Sequence, residues 1–174
     1  MSRQHGFSIY ELAITLVVLA ILIALASPSM GDFLRRNRVA ASTNSLLHAI
    51  NYARAEALRG GYAVTLCPTA DGASCLNATN WSGRDMLAVR DSNRTGAPAV
   101  QQLLQVFDGG SGQLTVTAPA AFVRFLPNGR VQSFSGNVAE NNFSIVPDGC
   151  QANERRDLHI TRMGRVRKSE VSCT

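Results

Sequence analysis

Four cations crowd together near the end of the chain, in the stretch "TRMGRVRKSE" at residues 161–170. They are Arg162, Arg165, Arg167 and Lys168. Guanidinium groups bind flat anions such as phosphate and carboxylate, often through two parallel hydrogen bonds. Like charges at this spacing repel one another, so the stretch requires either an anionic partner or full solvation. The chemistry that these residues offer is therefore anion binding.

The position of these cations depends on the strands that carry them. The segment "DLHITRMGRVRKSEV" is typical of two strands joined by a turn at residues 163–164. Side chains alternate along a strand, so Arg165 and Arg167 are expected on one side and Val166 in the core. The turn would bring Arg162 close to Arg165. The pattern predicts a compact basic patch at a hairpin tip.

Three environments fit such a patch, and the residues alone leave all three open. Charged side chains on an edge strand can simply be solvated, where they prevent unwanted strand pairing. They can instead bind the phosphates of a nucleic acid, or acidic residues of a neighbouring protein. By charge proximity we add Lys168, Arg155 and Arg156 to the candidate binding residues.

The composition is compatible with anion binding. Across 174 residues the formal net charge is +5, and Lys168 is the only lysine among 17 cations. A genome-wide preference for arginine would also produce this ratio. The hydrophobic content of 45% is enough for a packed core, and the length suits one domain with an extension.

The N-terminal region has the pattern of a membrane segment. After a short polar leader, residues 12–26 contain no charge, and Thr15 is their only polar residue. Residues 7–27 have about the length that a membrane-spanning helix needs. Glu11 lies at the edge of this apolar run, where a carboxylate is costly unless it has a partner or reaches the head groups.

The rest of the chain divides into a helix and a β-rich region. Apolar residues over residues 33–58 recur at spacings of three and four, and Gly60-Gly61 ends the pattern. They are Phe33, Leu34, Val39, Leu46, Leu47, Ile50, Ala53, Ala57 and Leu58. From Tyr62 onward, seven short β-type runs alternate with turn residues, which predicts a mainly antiparallel β domain.

Four cysteines, all in the β-rich region, predict two disulfides in an oxidising compartment. Three pairings are possible, and we favour Cys67–Cys75 with Cys150–Cys173. Zinc is the rival interpretation, but no two cysteines have a close metal-ligand spacing, and His159 is the only histidine of this region. The polar loop at residues 91–96 has too few ligands for calcium.

No combination of residues indicates catalysis. The chain has three histidines, His5, His48 and His159, and its cysteines are expected in disulfides, where they cannot act as nucleophiles. No glycine-rich loop of the nucleotide-binding types is present in the sequence. We therefore expect a protein that is not an enzyme, needs no cofactor or metal, and functions by assembly and contact.

The N-terminal stretch "GFSIYE" at residues 6–11, followed by the apolar run, resembles the signal of type IV pilins and pseudopilins. The resemblance implies that a prepilin peptidase cleaves between Gly6 and Phe7, and that Phe7 is N-methylated. It implies that Glu11 pairs with the N-terminal amine of a neighbouring pilin in the filament. The protein would lie in the inner membrane with its head in the periplasm, and then in a pilus at the cell surface.

Several further stretches resemble the FimT/FimU/GspH group of minor pilins and pseudopilins. They are "LCPTADGASC", "WSGRDMLAVRDSNRTG", "FLPNGRV" and the C-terminal "GRVR" before a cysteine. The fold implied is the α+β type IV pilin-like fold, in which a long N-terminal helix packs on a mainly antiparallel β head. The implied divisions are a cleaved leader at 1–6, a transmembrane half-helix at 7–28, an amphipathic half-helix at 29–60 and a head at 61–174.

"GRVRK" resembles the C-terminal motif of FimT-like minor pilins that bind DNA during natural transformation. By this resemblance Arg165 and Arg167, with Arg162 as third member, would bind the phosphate backbone of double-stranded DNA without sequence preference. The alternative is a structural minor pilin, or a type II secretion pseudopilin, that primes filament assembly and does not bind DNA. Its arginines would then contact carboxylates of neighbouring subunits.

Overall fold

The computed structural model describes residues 8–93, 95–110, 112–132 and 141–173. Within them the chain forms one helix followed by eight strands. The helix is α1 (Ile9–Gly60), and the strands are β1 (Ala63–Pro68), β2 (Met86–Asp91), β3 (Val100–Phe107), β4 (Leu114–Thr117), β5 (Val123–Phe125), β6 (Asn142–Pro147), β7 (Arg155–Ile160) and β8 (Val166–Val171). These strands coincide with the seven β-type runs, the last of which supplies both β7 and β8.

The chain divides into two compact units, Met1–Arg36 and Asn37–Thr174. In the first unit, Glu11 lies in the first turn of α1 and is exposed. Within the described part of the chain, no helix combines the length and the apolarity needed to cross a membrane. Gly6 and Phe7, the predicted processing residues, lie outside the described residues.

In the second unit, α1 presents one continuous apolar stripe to the core. Its fully buried members recur at the spacing of one helix face, and they are Val39, Leu46, Ala49, Ile50, Ala53 and Ala57. Leu58, which the periodic pattern placed with them, is 48% exposed. The helix ends as expected, because Gly61 has a φ of 67° and its N–H donates to the carbonyl of Ala57.

The strands form two four-stranded antiparallel sheets, with the orders β3-β2-β1-β5 and β4-β6-β7-β8. Side chains from both sheets join the stripe of α1 in a single core. Trp81 packs edge-to-face on Phe143 of β6 with ring centroids 5.0 Å apart. The helix-on-sheet α+β architecture predicted from the sequence is therefore confirmed.

Both disulfides have the pairing that the sequence favours. Cys67–Cys75 joins the end of β1 to the loop that follows it, with Cα atoms 5.5 Å apart. Cys150–Cys173 joins the segment that follows β8 to the loop before β7, with Cα atoms 5.8 Å apart. The second disulfide holds the last strand at its open end, so the hairpin β7–β8 is closed by a turn at one end and by a covalent bond at the other.

A buried ion pair between β2 and β5 holds the loop that follows β2. The carboxylate of Asp91 lies 2.6 Å from a terminal nitrogen of Arg124 on β5, and the side chains are 0% and 1% exposed. The other carboxylate oxygen accepts hydrogen bonds from the backbone N–H groups of Asn93 and Ala99. The charge of Asp91 is therefore used inside the protein, where it closes the polar loop at residues 91–96.

Replacing Arg124 by Met should reduce the free energy of unfolding by about 3–5 kcal/mol, because the Asp91 carboxylate stays buried without its cation. Adding Asp91→Asn should recover part of this loss, since Asn keeps an acceptor for the loop and carries no charge. Urea denaturation of the two variants and the wild type measures both effects. A double variant no more stable than Arg124→Met would show that the unpaired charge is not the cause.

Candidate functional site

The four cations of the C-terminal stretch lie at the tip of the hairpin β7–β8. The tip is a three-residue loop in which the N–H of Gly164 donates to the carbonyl of Thr161 at 2.8 Å. The N–H of Thr161 donates to the carbonyl of Arg165, also at 2.8 Å, which continues the ladder beyond the strands. Gly164 has a φ of 71°, the left-handed conformation that this kind of loop requires at its last position.

A second turn with the same construction follows β5. The N–H of Gly129 donates to the carbonyl of Leu126 at 2.8 Å, and the N–H of Leu126 donates to the carbonyl of Arg130 at 2.9 Å. Gly129 has a φ of 74°. This turn contains Pro127-Asn128-Gly129, residue types that are typical of hairpin turns.

The two turns are in direct contact. The N–H of Val131 donates to the carbonyl of Arg162 at 3.1 Å. A Cβ atom on Gly164 would lie 2.4 Å from the carbonyl oxygen of Gly129, whereas Cβ atoms in proteins essentially never come within 3.0 Å of another heavy atom. Gly164 is therefore required both by its backbone conformation and by the approach of the neighbouring turn.

Two side chains of α1, Arg54 and Leu58, contact the turns. Nε of Arg54 donates to the carbonyl of Gly129 at 3.3 Å, and a Cβ atom on Gly164 would lie 2.8 Å from Nε and Cδ of Arg54. A Cβ atom on Gly129 would lie 2.9 Å from a methyl group of Leu58. Leu58, which is 48% exposed, therefore packs against a turn and not in the core.

The structure brings the predicted tip cations together only in part. Arg167 lies opposite His159 in the β7–β8 ladder, and the Thr161–Arg165 hydrogen bond extends that ladder toward the tip. Arg165 and Arg167 are two residues apart on this strand, so they share one face, as predicted. Lys168 pairs with Leu158, which places it on the opposite face. The exposed side chains of all four cations make no ion pair with any residue that the structure describes; they are Arg162, Arg165, Arg167 and Lys168.

The other two predicted cations are paired inside the hairpin. Arg155 makes a bidentate interaction with Asp157, at 2.8 and 2.9 Å, and this carboxylate raises the pKa of Arg155 above its usual value. A terminal nitrogen of Arg156 lies 3.0 Å from the carboxylate of Glu170, and Arg156 also donates to the carbonyl of Asn153. Both charges are neutralised by a nearby carboxylate, and in this respect Arg155 and Arg156 differ from the four cations at the tip.

Sequence reasoning missed two arginines that border the tip. Arg130 is exposed and immediately follows Gly129, so the signal for it was present in the "FLPNGRV" stretch. Arg54 lies 75 residues away from its hydrogen-bond partner Gly129, and nothing in the helical pattern distinguishes it from other polar positions. Only the tertiary structure places Arg54 beside the hairpin.

The histidines that the structure describes serve as packing and hydrogen-bonding groups. The ring of His48 packs edge-to-face on Phe107 with centroids 5.4 Å apart. Nδ1 of His159 lies 2.7 Å from the side-chain oxygen of Asn142. Among the described residues, no group of three or more acidic, histidine or cysteine side chains is arranged to hold a metal ion.

Comparisons with known proteins agree with this architecture. The model of the prokaryotic N-terminal methylation motif matches residues 1–27. A helix that packs on two antiparallel sheets, preceded by this motif, defines a type IV pilin-like protein of the minor pilin or pseudopilin class. The family model described as type II transport protein GspH matches residues 42–164, and the chain therefore belongs to the GspH family.

Two crystal structures of a solved protein share the fold. They are two crystal forms of the type IV minor pilin FimU of Pseudomonas aeruginosa, each 20% identical in sequence to this chain. The match to the first crystal form covers 82% of this chain and 99% of the FimU chain, with a TM-score of 0.58. The second covers 77% of this chain and 98% of its own, with a TM-score of 0.53.

The contact between the two turns can be tested with alanine at two glycines. Gly164→Ala should reduce the free energy of unfolding by about 1–3 kcal/mol through its positive φ, with a further loss from the clash with Gly129. Gly149→Ala is the matched control, because Gly149 also has a positive φ of 67° but has open space around its Cβ position. Equal losses in urea denaturation would argue against the steric contact.

Proposed function

We propose that this protein is a minor pilin that binds extracellular DNA through its hairpin tip for uptake in natural transformation. The observation that carries the proposal is the set of exposed cations at the tip, none of which has an ion pair among the described residues. An unpaired cluster of this kind retains its full attraction for an external anion. The resemblance of "GRVRK" to the motif of DNA-binding minor pilins adds the chemical class of that anion.

The mechanism follows from the residue types. Arg162, Arg165 and Arg167 would each neutralise a phosphate and release a counterion, which supplies affinity without reading the base sequence. No residue of the 161–168 stretch is aromatic, so the tip offers no platform on which bases could stack. Phosphates of double-stranded DNA are the partner that this surface suits best.

The paired cations stay outside the proposed site. Arg155 and Arg156 would have to leave Asp157 and Glu170 before they could bind phosphate, which would bring two carboxylates close to the DNA. The proposed binding residues are therefore Arg162, Arg165 and Arg167, with Lys168 on the other face of β8 as a peripheral contributor.

Processing and assembly are part of the same proposal. The methylation motif supports cleavage after Gly6, methylation of Phe7 and insertion of residues 7–28 into the inner membrane before assembly. Glu11 would pair with the N-terminal amine of a neighbouring pilin, since a carboxylate in an apolar filament core needs a cationic partner. The head would then be displayed on a pilus at the cell surface.

The salt dependence of DNA binding tests the proposal. Changing Arg162, Arg165 and Arg167 together to Gln should make the slope of log K against log salt shallower by about 3, because each phosphate contact contributes about −0.9. Fluorescence anisotropy with a short duplex and the full-length chain in a neutral detergent measures the slope. The control is Arg155→Gln with Arg156→Gln, for which we expect a slope close to that of the wild type. A triple variant that binds like the wild type would refute the assignment.

One comparison favours a second function. The matching family model describes a type II transport protein, so the chain could act as a pseudopilin of a secretion system, or as a structural minor pilin that primes assembly. The tip arginines would then contact carboxylates of neighbouring subunits. In cells, the triple variant would lose secretion or piliation, and the purified wild-type protein would show no DNA binding.

A further inference from the structure

We infer that the phosphate-binding surface is built from three distant segments, and that Arg54 of α1 and Arg130 of the second turn belong to it together with the hairpin tip. This inference rests on the proposed DNA binding and extends it beyond the C-terminal motif. Its basis is the direct contact of the two turns and the helix, which brings these segments to one place.

Arg130 flanks the contact between the turns. It lies between Gly129, whose carbonyl faces Gly164, and Val131, whose N–H donates to the carbonyl of Arg162. The side chain of Arg130 is exposed and makes no ion pair with a described residue. A phosphate backbone that crosses Arg162 therefore passes beside Arg130 as well.

Arg54 reaches the tip from the helix. Its Nε and Cδ pack against Gly164 while Nε donates to the carbonyl of Gly129. This bond uses one of the five N–H donors of the guanidinium group and leaves four for an external anion. The side chain is half-buried, so part of it is open to solvent.

The acid nearest to Arg54 along the helix does not neutralise it. Glu56 accepts hydrogen bonds from the hydroxyl of Tyr62 at 2.6 Å and from Arg59 at 2.7 Å. These two donors hold the pKa of Glu56 below its usual value, with the Tyr62 bond as the larger cause. Residues two apart on a helix point in different directions, so Glu56 is directed away from Arg54.

The test measures how single charges contribute to the salt slope. With the full-length chain in neutral detergent and a short duplex, Arg130→Gln should make the slope shallower by about 0.9. The affinity ratio of wild type to variant should accordingly shrink about threefold between roughly 50 and 200 mM salt. Arg54→Gln should have a similar effect, whereas Arg54→Lys should keep the slope because it keeps the charge.

Arg84→Gln is the matched control for the loss of one positive charge. The Asp108–Gly110 segment contacts both Arg84 and residues 42–45 of α1, through the carbonyl of Arg84 and a hydrogen bond of 2.7 Å from Ser45 to Asp108. Ser45 precedes Arg54 by nine residues, or about 14 Å along the helix axis. Arg84 therefore lies away from the turns, and its variant should keep the wild-type slope.

Each outcome decides between the two proposals. A shallower slope for Arg130→Gln and Arg54→Gln, with Arg84→Gln unchanged, supports the composite surface. If only the change of Arg162, Arg165 and Arg167 affects the slope, the composite surface is refuted and the proposed function stands. If Arg84→Gln has the same effect as Arg130→Gln, the effect is one of net charge and the composite surface is also refuted. If the wild type shows no salt-dependent binding at all, the proposed function itself fails.

Discussion

The close approach of two glycine turns is the constraint on which the candidate site depends. Gly164 lies so close to the carbonyl of Gly129 that no side chain would fit there, and the side chain of Arg54 contacts both glycines. Each turn glycine is followed directly by an arginine, Arg165 after Gly164 and Arg130 after Gly129. The hairpin tip is thereby held against the helix, and its cations are displayed on a supported backbone.

The cations of the head fall into two groups: those paired with a carboxylate of the protein, and exposed ones without an ion pair among the described residues. Arg124 is buried with Asp91, and Arg155 and Arg156 are paired with carboxylates of the hairpin. These pairs hold a loop and the strands in place. The exposed tip cations make no such pairs among the described residues, and their mutual repulsion is relieved only by water or by an added anion. The proposed binding surface is defined by this division and not by the total charge of +5.

Much of the fold could be read from local patterns. The short β-type runs, the stop at Gly60-Gly61 and the turn at residues 163–164 predicted elements that the structure confirms, because each depends on residues close in sequence. The prediction of one apolar helix face was wrong for Phe33, Leu34 and Leu58, which are exposed, and Leu58 instead contacts a turn. It also grouped Arg155 and Arg156 with the tip, because charge counting cannot detect an ion pair with a particular carboxylate.

The sequence by itself determined the class of protein, the order of its elements and the arginines of the hairpin, since leader motif, periodicity and turn residues are local signals. Only the tertiary structure decided which cations stay unpaired, and that Arg54 and Arg130 stand beside them. The contact between Arg54 and Gly129 joins residues 75 positions apart. Its existence depends on how the helix, β5 and the last hairpin pack together, and no local pattern encodes that packing.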